Sequence, residues 1–327
     1  METQSDATLK ITKRTDRSAF MFILQHMIKP FGSLLITPRK THPVGSPRLT
    51  APKKPRTLCD IHERKVGDIY VYDLQPKRLS KSEESREKPK RKRFYYFCGG
   101  GWRMPPSGEH WAFCIELARK LPDTAVSVVS YPLAPNNPAP AAFPQLMASY
   151  KQLLQDAAQA GERVMLGGDS SGGNIILCLC LALLVEDESA PHPIALMAIC
   201  PSVDMRKENP DIQKVAPHDP ILRIPFINDN AKGWTGDWER SDPRVSPILA
   251  DVSLLKKKGI ACHGVTCSYD ILGPDAVLFR EKCRDAGVKG QWLAWEKQMH
   301  CFPLAWKYGL RESKEGKDWI VDVLRQS

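Results

Sequence analysis

From Arg93 onward, short apolar runs rich in β-branched and aromatic residues alternate with longer stretches of helical periodicity. The runs at 93–98 (RFYYFC), 124–131 (TAVSVVSY), 162–168 (ERVMLGG), 193–200 (PIALMAIC), 259–267 (GIACHGVTC) and 291–297 (QWLAWEK) predict strands. Helices are predicted at 110–121, 141–160, 174–186, 275–286 and about 313–325. These strands are nearly continuously apolar, so both of their faces need cover. That requirement, with the strand–helix alternation, predicts an α/β fold whose mostly parallel sheet lies between two helical layers. Upstream of residue 93 the chain is irregular, rich in proline and basic residues, with one predicted strand at 68–74. The alternation also breaks at 202–256, which holds many Pro, Asp and Trp residues and no strand pattern. An excursion of that length inside an α/β domain reads as a lid or binding loop. The expected organisation is a segment at 1–90, comprising part of a cap, the first strands and a basic loop, followed by the main domain at 91–327, with a cap insertion at about 202–256.

Composition changes this picture little. A chain of 327 residues, 42% hydrophobic and 26% charged, can bury a large core. The net charge of +10 would suit a polyanion partner, but it is unevenly spread: residues 77–93 hold nine Lys or Arg against three Glu. A run with almost no apolar residue reads as a solvated loop, so nucleic acid is not an expected partner. The ten cysteines sit mainly in apolar runs, as in NIILCLCLALL, which predicts reduced, buried thiols. No paired C-x-x-C spacing is present, so neither a metal nor another cofactor is expected. The N-terminus METQSDATLK has no basic start followed by an apolar core, which predicts a cytoplasmic protein. The apolar stretch FMFILQHMIKPFGSLLI is interrupted by His26, Lys29 and Pro30, so it is expected to pack as a helix rather than span a membrane. Peripheral membrane contact through it, and homodimerisation, stay open.

The chemistry concentrates at VMLGGDSSGGN, residues 164–174, between a predicted strand and a predicted helix. Gly168-x-Ser170-x-Gly172 is the spacing of a tight turn that lifts a serine above a sheet, where flanking side chains would obstruct the approach of helix to strand. Ser171 does not fit that register, because Asp169 stands two residues before it. Ser170 is therefore the candidate nucleophile. A serine alcohol needs a base, and the base an orienting acid, which on such a sheet follow in the order Ser, Asp, His. Asp270, after the strand at 259–267, and His300, after the strand at 291–297, satisfy that order. Asp275 and Asp251 are expected to cap helices, and His263, inside a strand, to pack. His218, in the insertion, is the second-choice base and a candidate substrate contact. Glycines 99–101 follow the first strand of the alternation, so the amides of Gly100 and Gly101, with that of Ser171, are candidates for an oxyanion hole. Trp102 and Phe226 are candidate substrate-binding residues; Trp102 and Trp111 are each read as either pocket wall or core, and Phe226 and Trp234 as cap contacts.

As a set, CGGGW (98–102), YPLAPNNPAPAAFP (131–144), GGDSSGGN (167–174), DPRVSPILAD (242–251), YDILGPDA (269–276) and MHCF (299–302) resemble the hormone-sensitive-lipase-like branch of the α/β-hydrolase family. The resemblance covers roughly 93–325 and is nearest to fungal-type members. It implies a carboxylesterase acting on small-molecule esters, some in secondary metabolism, with Ser170, Asp270 and His300 as triad. The family usually has a histidine, which braces the glycine loop, where this chain has Cys98. Two alternatives remain on the same residues: acyl transfer, lactonisation or isomerisation, and a small-molecule receptor that has lost catalysis.

Overall fold

The computed structural model describes residues 8–38, 40–52, 57–77 and 91–327. The basic run singled out above therefore lies, except for its ends, outside the described residues. Among the described residues nine strands form one sheet: β1 (Leu9–Arg14), β2 (Cys59–Val66), β3 (Ile69–Pro76), β4 (Lys92–Phe97), β5 (Thr124–Ser130), β6 (Arg163–Asp169), β7 (Ala195–Ile199), β8 (Ala261–Tyr269) and β9 (Gly290–Met299). The order is β1-β9-β8-β7-β6-β4-β5-β3-β2. Only β3 runs against its neighbours, β2 and β5; all other pairs are parallel. The α/β class with a mostly parallel sheet is what the pattern after residue 93 predicts.

Period-two alternation along the inner strands feeds two apolar layers. Tyr95 and Phe97 of β4 join Leu166 and Leu196 on one face; Phe94 and Tyr96 join Met165, Met197 and Val265 on the other. The first face is covered by α4 (Ala139–Gln159), α5 (Ser171–Glu186) and α9 (Gly273–Asp285), the second by α3 (Gly108–Lys120) and α10 (Arg311–Gln326). Helices α4 and α9 begin two residues earlier than their apolar periodicity suggests, because Pro140 and Pro274 are accommodated in a first turn whose N–H groups have no helical partner.

The N-terminal region departs from its irregular appearance. β1 and β2 are the two outer strands of the sheet, and each buries only a fraction of its residues. Sequences such as LKITKR and CDIHERKV carry charge on the solvent side, which hides the strand pattern and also protects the sheet edge from unwanted pairing. The apolar stretch after Ser18 forms α1 (Ala19–Ile28) and, after a single 3₁₀ turn, α2 (Gly32–Ile36). The Ser18 hydroxyl caps α1 by accepting from the Met21 amide at 3.1 Å. Packing is limited to one stripe: Met21 and Gln25 are buried, whereas Phe20, Phe22, Ile23 and Met27 are exposed. No helix of the described residues is long and apolar enough to cross a membrane.

The 202–256 excursion contains α6 (Asp211–Val215), α7 (Ile224–Thr235) and α8 (Ser253–Lys257). Ile212, Leu222 and Ile227 form a small apolar cluster with Ile271 and Leu272, and Ile36 of α2 packs against it. Arg223 adds a hydrogen bond to the Lys29 carbonyl at 2.6 Å. The N-terminal segment and the excursion thus meet over the loop that follows β8.

His263 packs inside β8, where Nδ1 accepts from the Gln291 amide at 3.0 Å. Burial depresses its pKa from 6.5 to about 4. The unfolded chain therefore takes up a proton that the folded chain refuses, and stability falls as pH drops from 6.5 towards 4. In denaturant titrations across that window, His263→Gln is expected to remove nearly one proton from the dependence, a slope of about 1.4 kcal/mol per pH unit.

Candidate active site

Five loops at the carboxyl ends of the parallel strands converge on one edge of the sheet. After β6 the chain turns into α5 through Ser170, whose φ of 52° and ψ of −117° are strained for a residue with a side chain. The turn can be this sharp because its glycines leave no Cβ in the way. A Cβ at Gly172 would strike the Phe97 carbonyl, and one at Gly168 would strike the Gly172 backbone. The Ser170 amide donates to the Ile199 carbonyl at 2.9 Å, while its own carbonyl accepts from Asn174 and Ser202. These bonds anchor the strained residue, and α5 begins at Ser171 with its amides directed towards the turn.

Asp270 and His300 follow β8 and β9. Thirty residues apart in sequence, they join through a hydrogen bond of 2.7 Å between His300 Nδ1 and Asp270 Oδ2. Asp270 is 1% exposed. Its Oδ1 accepts from the Leu272 amide at 2.9 Å, which fixes the carboxylate plane. Burial opposes protonation of His300, but the adjacent Asp270 charge and hydrogen bond outweigh it, and the pKa is raised from 6.5 to about 9. The partner of Nε2 in this structure is the Cys301 thiol, at 3.4 Å; among the described residues no hydrogen bond joins Nε2 to Ser170 Oγ. The two loops are nonetheless adjacent, because Cys301 Sγ lies 4.0 Å from the same Ile199 carbonyl that binds the Ser170 amide. Long contacts of this kind are common before substrate binds.

The glycine loop after β4 runs through positive φ at Gly100 (136°), Gly101 (61°) and Trp102 (59°). Its brace is Asp169, the residue before Ser170. Asp169 Oδ1 accepts from the Gly99 amide at 2.9 Å and the Tyr96 hydroxyl at 2.8 Å, and Oδ2 contacts His110 Nε2 at 3.1 Å. Because His110 Nδ1 accepts from the Ser107 amide at 3.0 Å, the Nε2 proton points at Asp169. Burial works against the Asp169 carboxylate, yet His110, Gly99 and Tyr96 together hold its pKa below the ordinary 3.8. Cys98, by contrast, is a buried thiol whose pKa is pushed well up by desolvation. Its carbonyl accepts from Tyr131 at 2.8 Å. A histidine thus reaches this loop from α3, twelve residues beyond the position where the resemblance led one to look.

The remaining candidates are dispersed. Trp102 is 3% exposed and stacks on Trp234, with centroids 5.7 Å apart and planes at 11°, so it forms the wall behind the glycine loop rather than an open contact surface. Trp111 is core, edge-on to Tyr72. Phe226 packs on the cluster around Leu222 and Ile227. His218 is exposed, with its ring on Tyr269 at 5.1 Å. Asp251 accepts from the Ser253 amide at the start of α8, a capping role as expected. Asp275 differs: its Oδ1 accepts from Asn209, tying α9 to the excursion instead of capping the helix.

Two buried groups have no obvious mark in the sequence. Asp219, fully buried, accepts from the Ile221, Leu222 and Ile271 amides, so it fastens the excursion to the Asp270 loop. Burial and the charge of Asp270 raise its pKa from 3.8 to about 6. Asn230 presses on Gly101, where a Cβ would strike its amide, and its Oδ1 has no hydrogen-bond partner among the described residues.

A family profile described as "alpha/beta hydrolase fold" matches residues 94–304. An esterase of Acinetobacter venetianus is 31% identical over 196 residues, covering 60% of this chain and 62% of that protein. Human hormone-sensitive lipase is 28% identical over 161 residues, 47% of this chain and 15% of the lipase. The chain thus spans less than two thirds of the length of these relatives. Among solved structures, a hormone-sensitive lipase from a metagenome library superposes with a TM-score of 0.75 at 20% identity, covering 95% of this chain and 99% of the other.

Replacing His110 with Leu would leave Asp169 buried beside an apolar side chain. Stability is expected to fall by about 1–3 kcal/mol, the usual cost of an unsatisfied buried group, as measured by denaturant unfolding. His110→Gln, which can still donate to Asp169, is expected to recover much of the loss.

Proposed function

Because the chain belongs to the α/β-hydrolase family, we propose that it is a hormone-sensitive-lipase-like serine esterase that cleaves carboxylic esters of small or medium-sized molecules through an acyl-enzyme. His300 removes the proton from Ser170 Oγ, which attacks the ester carbonyl. The amides of Gly100, Gly101 and Ser171 hold the tetrahedral oxyanion, and Asp270 stabilises the imidazolium as it forms. His300 then protonates the leaving alcohol, and water, activated by the same imidazole, releases the acid. The observation that carries this reading is the 2.7 Å His300–Asp270 hydrogen bond beside a serine held at φ 52°. The resemblance to esterases points the same way.

Cap and substrate follow from the same reading. Part of 1–90, a range that also holds β1 to β3, and about 202–256 supply the cap over the 91–327 domain, and the meeting of Ile36 with Leu222 and Ile227 supports this division. Phe226 and His218 belong to that cap, and Trp102 backs the oxyanion loop. The further assignment, to a fungal-type enzyme of secondary metabolism, rests on the motif resemblance.

Ser170→Ala is expected to abolish labelling by a fluorophosphonate probe and to cut hydrolysis of a p-nitrophenyl ester by at least about 10⁴-fold. Undiminished labelling of the variant would sink the assignment. The base must be unprotonated, so the rate falls as pH drops through the His300 pKa. Since Asp270 raises that pKa, the acid limb of kcat/KM is expected above 6.5, and Asp270→Asn should move it down.

A further inference from the structure

Three thiols surround the Asp270–His300 pair. Cys200 directly follows β7, Cys267 lies near the end of β8 and Cys301 follows His300 directly. Cys200 Sγ and Cys267 Sγ are 3.4 Å apart, and Cys301 Sγ is 3.4 Å from His300 Nε2. Cys200 Sγ, Cys301 Sγ and a ring nitrogen of His300 all lie within 4.8 Å of one another. The esterase reading has no use for these three thiols.

We propose that Cys200, Cys301 and His300 Nε2 form a binding site for a thiophilic divalent cation of the zinc class, whose occupancy switches the esterase off. The donor set is the soft sulfur and imidazole combination that such ions prefer. Zinc bonds of roughly 2.3 Å to sulfur and 2.0–2.1 Å to nitrogen, at tetrahedral angles, put those two donors roughly 3.5 Å apart. The Cys301 Sγ to Nε2 distance of 3.4 Å already matches. The outer contact is also in place. Asp270 accepts a hydrogen bond from Nδ1–H, leaving the Nε2 lone pair as the ligand, as a carboxylate does behind metal-bound histidines elsewhere. Cys267 Sγ, beside Cys200, is the nearest further donor. Coordination releases to solvent whatever protons the two thiols and His300 Nε2 still carry. Two thiolates and a neutral imidazole then cancel the double charge of the ion, which suits a site where Cys200 is 1% exposed. The metal engages the lone pair that would otherwise accept the Ser170 proton. The inhibitory half of the proposal therefore rests on His300 as base; the binding half does not.

The test uses the full chain with its thiols reduced, titrated with Co²⁺ for spectroscopy and with Zn²⁺ for calorimetry and hydrolysis of a p-nitrophenyl ester. One Co²⁺ per chain with near-ultraviolet thiolate-to-metal charge-transfer absorption is expected. Cys200→Ser and Cys301→Ser should each weaken Zn²⁺ binding by about tenfold or more. Ester hydrolysis should fall with the same midpoint as Zn²⁺ binding and return when a chelator is added. Co²⁺ bound without thiolate absorption, or Zn²⁺ affinity unchanged in both variants, overturns the site. If either variant does not fold, the spectrum of the wild-type chain decides. Zn²⁺ bound through thiolates with hydrolysis undiminished overturns the inhibition. If the metal-free chain hydrolyses no ester while its Co²⁺ complex shows the thiolate bands, the site stands and the esterase reading is overturned instead.

Discussion

The 2.7 Å hydrogen bond between Asp270 and His300 is the interaction on which the candidate site depends. It lies where water is largely excluded, so the carboxylate acts on the ring at close to full strength. That coupling sets the orientation of the imidazole and leaves Nε2 beside the Cys301 thiol. The fold serves it from both sides: the Leu272 amide fixes the Asp270 carboxylate, and β8 and β9 run parallel side by side so that their following loops meet.

A second buried carboxylate performs the matching task for the glycine loop. Asp169 ties Gly99 to the residue before Ser170 and is itself held by Tyr96 and His110. The strained serine and the glycine loop are therefore parts of one hydrogen-bonded unit, not two loops that happen to be near each other. Cys98 does not weaken this unit, because the contact that braces it comes from α3. Asp219 extends the same logic outwards, holding the 202–256 excursion against the Asp270 loop through backbone amides. Three buried carboxylates thus link sheet, turn and excursion, and each one bonds at least one group distant in sequence.

Legibility in the sequence followed burial. Strands β4 to β9 are covered on both faces, and continuous apolar runs announced them. Edge strands β1 and β2 expose most of their side chains and read as charged, irregular chain. The helices α6 and α8, five residues each, are too short to carry a periodic signal and exist because their apolar residues pack elsewhere. In the site, Ser170, Asp270 and His300 could be named because glycine spacing and chain order are local or ordinal properties. His110 stood in an ordinary helical stretch, and Asp169 passed as a spacer between Gly168 and Ser170.

The sequence by itself determined the α/β class, the alternation of elements after residue 93 and the glycine-flanked turn, because hydrophobic period and the absence of a Cβ act over a few residues. Only the tertiary structure decided which side chain partners which. The contacts Asp169–His110, Asp219–Ile271 and Cys200–Cys267 each join separate strands, helices or loops, and are made only when those elements are packed at fixed distances. A buried charge or thiol takes its properties from those neighbours, and no residue-by-residue pattern encodes them.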